Sequence, residues 1–304
     1  MTTNARVALA VLVCLVAAPA ATDDGAFPIW GPTTITQPGH YVLVRNIGNT
    51  SSSNVLIIAA DDVDLDLNGF TITCSNTAVS ASGARGLAVH DGFLHCVLQT
   101  VRWTNLENFS LRGVVSVTDV GEMAIEILES KHGVVEDNTI RIGGDDALWV
   151  TGSAVAIRDN QFDADVQIYA AGCEVSGNLW ENGTLLVARS GNAILDNVLH
   201  ATWGYDGILV FDGASDNRVF RNTVSARMGN GISVRGSHNQ VVDNVLNGNG
   251  GFGLLFGASS SGNVFRGNSA RGNDGSDCPT ANTDFCDYGT SNTSHGDNYM
   301  PGRL

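Results

Sequence analysis

A band of eight ionisable side chains stands out between positions 141 and 206: Arg141, Asp145, Asp146, Asp163, Asp165, Glu181, His200 and Asp206. Carboxylates brought close together repel. That repulsion either raises one carboxyl pKa into the range of a general acid or is relieved by a cation. Asp146, Asp165, His200, Arg141 and Asp206 are the candidate catalytic groups, with Arg141 or His200 as base and Tyr205 as proton donor. Glu181, Asp163, Trp203 and Tyr205 are the candidate substrate contacts; the two aromatics offer flat apolar faces to a ligand or, equally, pack their own loop. Asp145, Asp146 and Asp165 supply hard oxygen ligands of the kind Ca²⁺ prefers. The competing account is that these acids are turn residues, because turns favour Asp, Asn and Gly.

The band has meaning only if something aligns it, and a repeat does so. Gly231-Ile232-Ser233-Val234 and Gln240-Val241-Val242-Asp243-Asn244 form one unit of two short alternating runs, the pattern of half-buried strands. Equivalent units close at Gly69, Gly92, Gly113, Asn138, Asn160, Asn178, Asn197, Asn222, Asn244 and Asn268, in steps of 18 to 25 residues. A period in this range marks a solenoid whose units stack to share one core. The recurring asparagines are expected to form a structural amide ladder rather than a site. The first strands line up as Ala124–Ile127, Ala147–Val150, Val166–Tyr169, Thr184–Val187 and Gly207–Val210, with Met123, Asp146, Asp165, Gly183 and Asp206 just before them. A second column, Arg141, Asp163, Glu181 and His200, falls three residues past the closing asparagine.

These Gly-Ile-x-Val and Asn-x-Val-x-x-Asn units, with Ile57 to Gly69, resemble the right-handed parallel β-helix superfamily of pectin-lyase-like and NosD-like proteins over about residues 35–273. The resemblance implies an all-β, right-handed parallel β-helix of about ten coils with caps at both ends. It also implies an extracellular polysaccharide as partner, met by a lyase-like or glycosidase-like enzyme or by a non-catalytic glycan- or protein-binding module. Asp145-Asp146-Ala147 is similar to the paired-aspartate segment of polygalacturonase-like hydrolases, but Asn-Thr-Asp and Gly-His-Gly do not occur. Asp146 and Asp165, one coil apart, stand near the separation of a retaining pair, while acids two coils apart approach the inverting range, so spacing does not choose between them. A copper site is not expected, because the seven histidines are scattered and no Met/His cluster exists.

Composition sets the remaining bounds. There are 31 Asp plus Glu against 16 Lys plus Arg, a formal charge of −15, which argues against nucleic acid as a partner. The same acidity is compatible with bound Ca²⁺. Residues 1–21 read as a secretory leader: Arg6, the apolar run Val7 to Val16, then Ala18-Pro19-Ala20. Secretion or a periplasmic location is therefore expected. The apolar run is too short to span a membrane. No proline occurs between Pro38 and Pro279, which outlines a solenoid over 55–273 between an N-terminal cap at 22–54 and a C-terminal cap at 274–304. Cys74 and Cys96 are one coil apart, within disulfide reach, and Cys278 and Cys286 flank a short loop that a bridge would close. Cys173 is left over and is expected to be a small buried residue. A monomer is expected.

Overall fold

The computed structural model describes residues 25–49, 51, 53–200, 206–226, 228–279 and 282–302. The leader expected at 1–21 lies outside them. Among the described residues the chain is all strand and turn, and every ladder between strands is parallel. Each coil contributes strands to three ladders in turn. Face I is a 12-stranded sheet with one strand per coil, such as Leu56–Ile58, Thr77–Ser82, Gln99–Thr104, Met123–Lys131, Asp146–Ser153 and Asp165–Ala171. Face II follows with Val63–Asp66, Val134–Glu136 and Ala156–Arg158, and face III with Thr71–Cys74, Thr139–Ile142, Gln161–Phe162 and Leu179–Trp180. The long strands Ala88–Cys96 and Ser110–Thr118 run through both, joining faces II and III into one sheet. The chain is a parallel β-solenoid.

Alternation decides which side chains enter the core. Val63, Leu65 and Leu67 are buried, while Asp64 and Asp66 between them face outward. The same rule buries Ile140, Phe162, Trp180 and Leu199 in successive coils, with the Phe162 and Trp180 rings 4.8 Å apart. Thr33–Ile35 pairs with Leu56–Ile58, and Gly39–Leu43 with Val63–Asp66, so the ladders already run through residues 27–49. At the other end Phe285–Asp287 continues face I.

The asparagines form the expected ladder. Asn138 donates its amide to the Asn160 carbonyl oxygen at 3.0 Å, and Asn160, Asn178, Asn197, Asn222 and Asn244 repeat the contact coil by coil. A second ladder runs from Asn192 through Asn217 and Asn239 to Asn263. Cys173 stands at its head: the thiol is buried, and its backbone N–H donates to Asn192 Oδ1 at 2.7 Å. Gly69 and Gly113 do not sit on the first ladder as the repeat predicts. Val114, not Gly113, donates to Asn138 Oδ1 and pairs with Gly92, so the glycines fall one place earlier. That place is left-handed in every coil: Gly69 has φ 71, Asp91 60, Gly113 61, Asp137 56, Asp159 57 and Asp196 55. Glycine, Asp and Asn tolerate this conformation best, which explains why a glycine was matched to the neighbouring asparagine.

Both expected disulfides are present, Cys74–Cys96 with Cα atoms 4.5 Å apart and Cys278–Cys286 with 5.7 Å.

Candidate functional site

The band of acids lies on either side of the turn from face III to face I, and the structure resolves it into two rows. On face III, Arg141, Asp163, Glu181 and His200 follow the buried Ile140, Phe162, Trp180 and Leu199, which are in register. They therefore project outward from successive coils. Asp163 Oδ1 accepts the Ile142 N–H at 3.0 Å and so fastens the end of strand Thr139–Ile142. Burial pushes its pKa up, the Ile142 N–H and Arg141 oppose the shift, and Glu181 adds to it. Glu181 accepts the Gln161 amide at 2.6 Å, and His200 Nδ1 lies 2.9 Å from Ser225 Oγ.

The second row begins face I. Asp146 pairs with Met123 on one side and Asp165 on the other. The expected register fails just beyond it: Leu148, not Ala147, pairs with Val166, and Val166 in turn with Leu185, not Thr184. Ala147 is the extra residue of a β-bulge. The coil it starts is short, and the bulge absorbs the mismatch without turning the strand's outward residues inward.

Beside the bulge Asp146 is only 7% exposed, with the Gln167 side-chain amide 2.7 and 2.8 Å from its two carboxylate oxygens. Burial raises the Asp146 pKa to about 6; the Gln167 amide pulls it back, and the charges of Asp165 and Asp145 push it further up. Asp146 is thus poised to exchange a proton near neutral pH.

Its sequence-matched partners have other tasks. Asp165 Oδ1 accepts the Thr184 N–H at 2.7 Å. Asp206, 7% exposed, accepts both the backbone N–H and the side-chain amide of Asn230 at 2.8 Å. Asp145 is exposed. The three acids expected to hold Ca²⁺ are not gathered: among the described residues, the group of three His, Cys, Asp or Glu ligand atoms within 4.8 Å of one another is Asp66, His90 and Asp91. Trp203 and Tyr205 lie outside the described residues.

Sequence reasoning missed the side chains beside Asp146 on face I. Arg102, Glu126, Trp149 and Gln167 are successive register partners on its outer surface. Arg102 Nε pairs with Glu126 Oε2 at 3.0 Å, and Trp149 stacks on Tyr169 with ring centroids 5.0 Å apart and planes at 9°. Farther up the face, Ile57, Ser80, Arg102 and Thr104 line an open groove of about 310 Å³. Alternation marks these residues as outward-facing in consecutive coils, but not which of them lie beside Asp146.

Residues 99–303 match the profile of a family described as periplasmic copper-binding protein (NosD), more than half of the 304-residue chain. The chain belongs to the NosD family. A comparison with curated proteins gives no match. Among solved structures, this NosD-family chain is similar to the A-module of the Azotobacter vinelandii mannuronan C-5 epimerase AlgE4, with TM-score 0.57, 11% identity, and 87% of this chain and 91% of that one covered. It is also similar to the AlgE6 A-module of the same organism, with TM-score 0.51, 16% identity, and 78% and 68% covered. At such identities the likeness is one of fold.

The family description calls for copper donors, and the described residues of the matched span do not assemble three His, Cys, Asp or Glu ligand atoms in one place. Soft Cu(I) sites use clustered thiolate, thioether and imidazole ligands. Cys173 is buried with its thiol pKa pushed up by that burial, and Met123, Met228 and Met300 belong to different coils. Asp66, His90 and Asp91 precede residue 99, where the match begins.

Proposed function

We propose that this NosD-family chain is an extracytoplasmic β-helix protein that engages a polysaccharide across face I. The observation that carries the reading is the outer surface next to the bulge. There the stacked Trp149 and Tyr169 adjoin Gln167, which holds the buried Asp146 carboxyl. Aromatic faces take the apolar side of sugar rings, while a neutral carboxyl and an amide donate to and accept from sugar hydroxyls. Coils about 4.8 Å apart offer successive contacts along a polymer. The leader expected at residues 1–21 and the two disulfides support export.

Asp146 is suited to general-acid work, protonating a glycosidic or ring-substituent oxygen as a bond breaks. A binding role without turnover draws on one observation: Asp163, Asp165 and Asp206, three of the acids of the same band, each accept a neighbouring coil's backbone N–H. In the catalytic alternative, Ca²⁺ as the charge neutraliser of a uronate would have to draw Asp145, Asp146 and Asp165 together.

The test is a panel of neutral and uronate polysaccharides, read by affinity electrophoresis for binding. Reducing ends and the ultraviolet absorbance of unsaturated uronates report turnover, with and without Ca²⁺. Trp149→Ala is expected to weaken binding about tenfold or more, since a stacked aromatic contributes on the order of 1 kcal/mol beyond its buried area. Retention of wild-type affinity in Trp149→Ala, or no retained polymer at all, would remove face I as the binding surface. Turnover lost in Asp146→Asn with binding kept would establish catalysis.

A further inference from the structure

The geometry points to a divalent transition-cation site on face II, built from His90, Asp66 and Asp91 and steadied by Asp64. It lies on a different sheet from the face I surface and outside the span that matches the NosD family.

The fold assembles the site from two coils. Asp66, at the end of strand Val63–Asp66, is in register with His90 on strand Ala88–Cys96, and both face outward. Asp91 occupies the left-handed turn position, with φ 60. In other coils that turn residue follows Glu136, Arg158 or Leu195; here it follows an imidazole. Its carboxylate returns to His90, with Oδ2 2.9 Å from Nδ1. Asp66 Oδ1 lies 3.8 Å from the same nitrogen and also accepts the Asn68 N–H.

The other ring nitrogen supplies an independent observation. His90 Nε2 lies 3.0 Å from Asp64 Oδ1. Both ring nitrogens face carboxylates, Nε2 that of Asp64 and Nδ1 that of Asp91; a cation that replaced the Nδ1 proton would leave Nε2–H donating to Asp64 and would meet Nδ1 beside Asp66 and Asp91. Metal-bound histidines are oriented by this carboxylate–imidazole arrangement. Ligand atoms about 2.0–2.2 Å from a Zn²⁺-like ion lie roughly 2.9–3.6 Å apart at angles between square and tetrahedral. The two Nδ1–oxygen separations, 2.9 and 3.8 Å, bracket that range. The His90 side chain is 21% exposed and Asp91 68%, so an ion can enter from solvent and keep water in its remaining positions.

One imidazole with carboxylates selects a borderline cation. Carboxylates alone would suit Ca²⁺, while imidazole and carboxylate together suit Zn²⁺ or Cu²⁺. The experiment titrates untagged, metal-stripped protein with Zn²⁺, Cu²⁺ and Ca²⁺ by calorimetry, and records the Cu²⁺ paramagnetic resonance spectrum. One equivalent of Zn²⁺ or Cu²⁺ is expected, with coupling from a single imidazole nitrogen and no comparable Ca²⁺ binding. His90→Ala and Asp66→Asn should each weaken binding by at least about tenfold, and the orienting Asp64→Asn by about 10- to 100-fold. His95→Ala, whose ring pairs with Asp119 at 2.9 Å, should bind as wild type. A melting curve for each variant separates lost binding from lost folding. Absent binding, binding of Ca²⁺ alone, or wild-type affinity in folded His90→Ala or Asp66→Asn overturns the proposal.

Discussion

Asp146 carries the most consequential single charge in the molecule. Its carboxyl titrates at an ordinary value near 3.8 when exposed and at about 6 in the fold, so the folded chain prefers the protonated form. The contribution to stability is therefore fully present below about pH 4 and is lost as pH rises through 6. At about 1.4 kcal/mol per pKa unit, the ionised form costs the fold on the order of 2 to 3 kcal/mol. Asp146→Asn keeps a hydrogen-bonding amide at the same place and should flatten this dependence. Urea melts at pH 4.5 and 7.5 should then converge for the variant and differ for the wild type; parallel behaviour of the two proteins would contradict the account. Asp146 was legible in the sequence because it heads a strand in a column of acids. Gln167 and Trp149 were not, because their importance comes from the Ala147 bulge, which no spacing rule announces.

At the scale of the strand and its turns, regularity made the fold readable and irregularity hid the site. Alternation placed Leu65, Ile140 and Trp180 inside, and the asparagine column announced the amide ladder. The sequence blurred positions one residue apart. Gly113 stands next to the ladder rather than on it because the left-handed turn and the ladder position are adjacent, and both accept small or amide residues. The ladder itself is testable. Asn222 donates to the Ile194 carbonyl and to Asn244 Oδ1, while its own oxygen accepts from the Asn197 N–H and amide. Asn222→Ala removes these contacts inside a sealed core and leaves buried donors unmet. A loss on the order of 3 kcal/mol or more is expected in denaturant titration. Thr223→Ala, one residue on and facing outward, should cost well under 1 kcal/mol. Equal losses at the two positions would mean that the ladder is not what holds the coils.

Across the whole molecule, stability is set by neighbours along the axis, because each coil touches chiefly the coils above and below it. The Cys74–Cys96 bridge ties two adjacent coils through a 22-residue loop. Replacing both cysteines by alanine should cost on the order of 2 to 4 kcal/mol. In hydrogen exchange the loosening should centre on residues near 47–96, with the coils around Asn222 as protected as before. Uniform loss of protection would argue for a single cooperative unit instead. The fold class was legible at this scale because the repeat averages over its own exceptions. The face I surface was not, because it depends on which coil carries an extra residue.

The ladders have a mechanical consequence. Backbone and asparagine hydrogen bonds alike run along the solenoid axis, so a load pulling the termini apart stretches the bonds between coils one row at a time. Under tension the chain should yield as a spool gives up thread, a turn per event, with short rips of about 18 to 25 residues each. The stapled turn between Cys74 and Cys96 would release little thread, because the bridge withholds its loop from the pull.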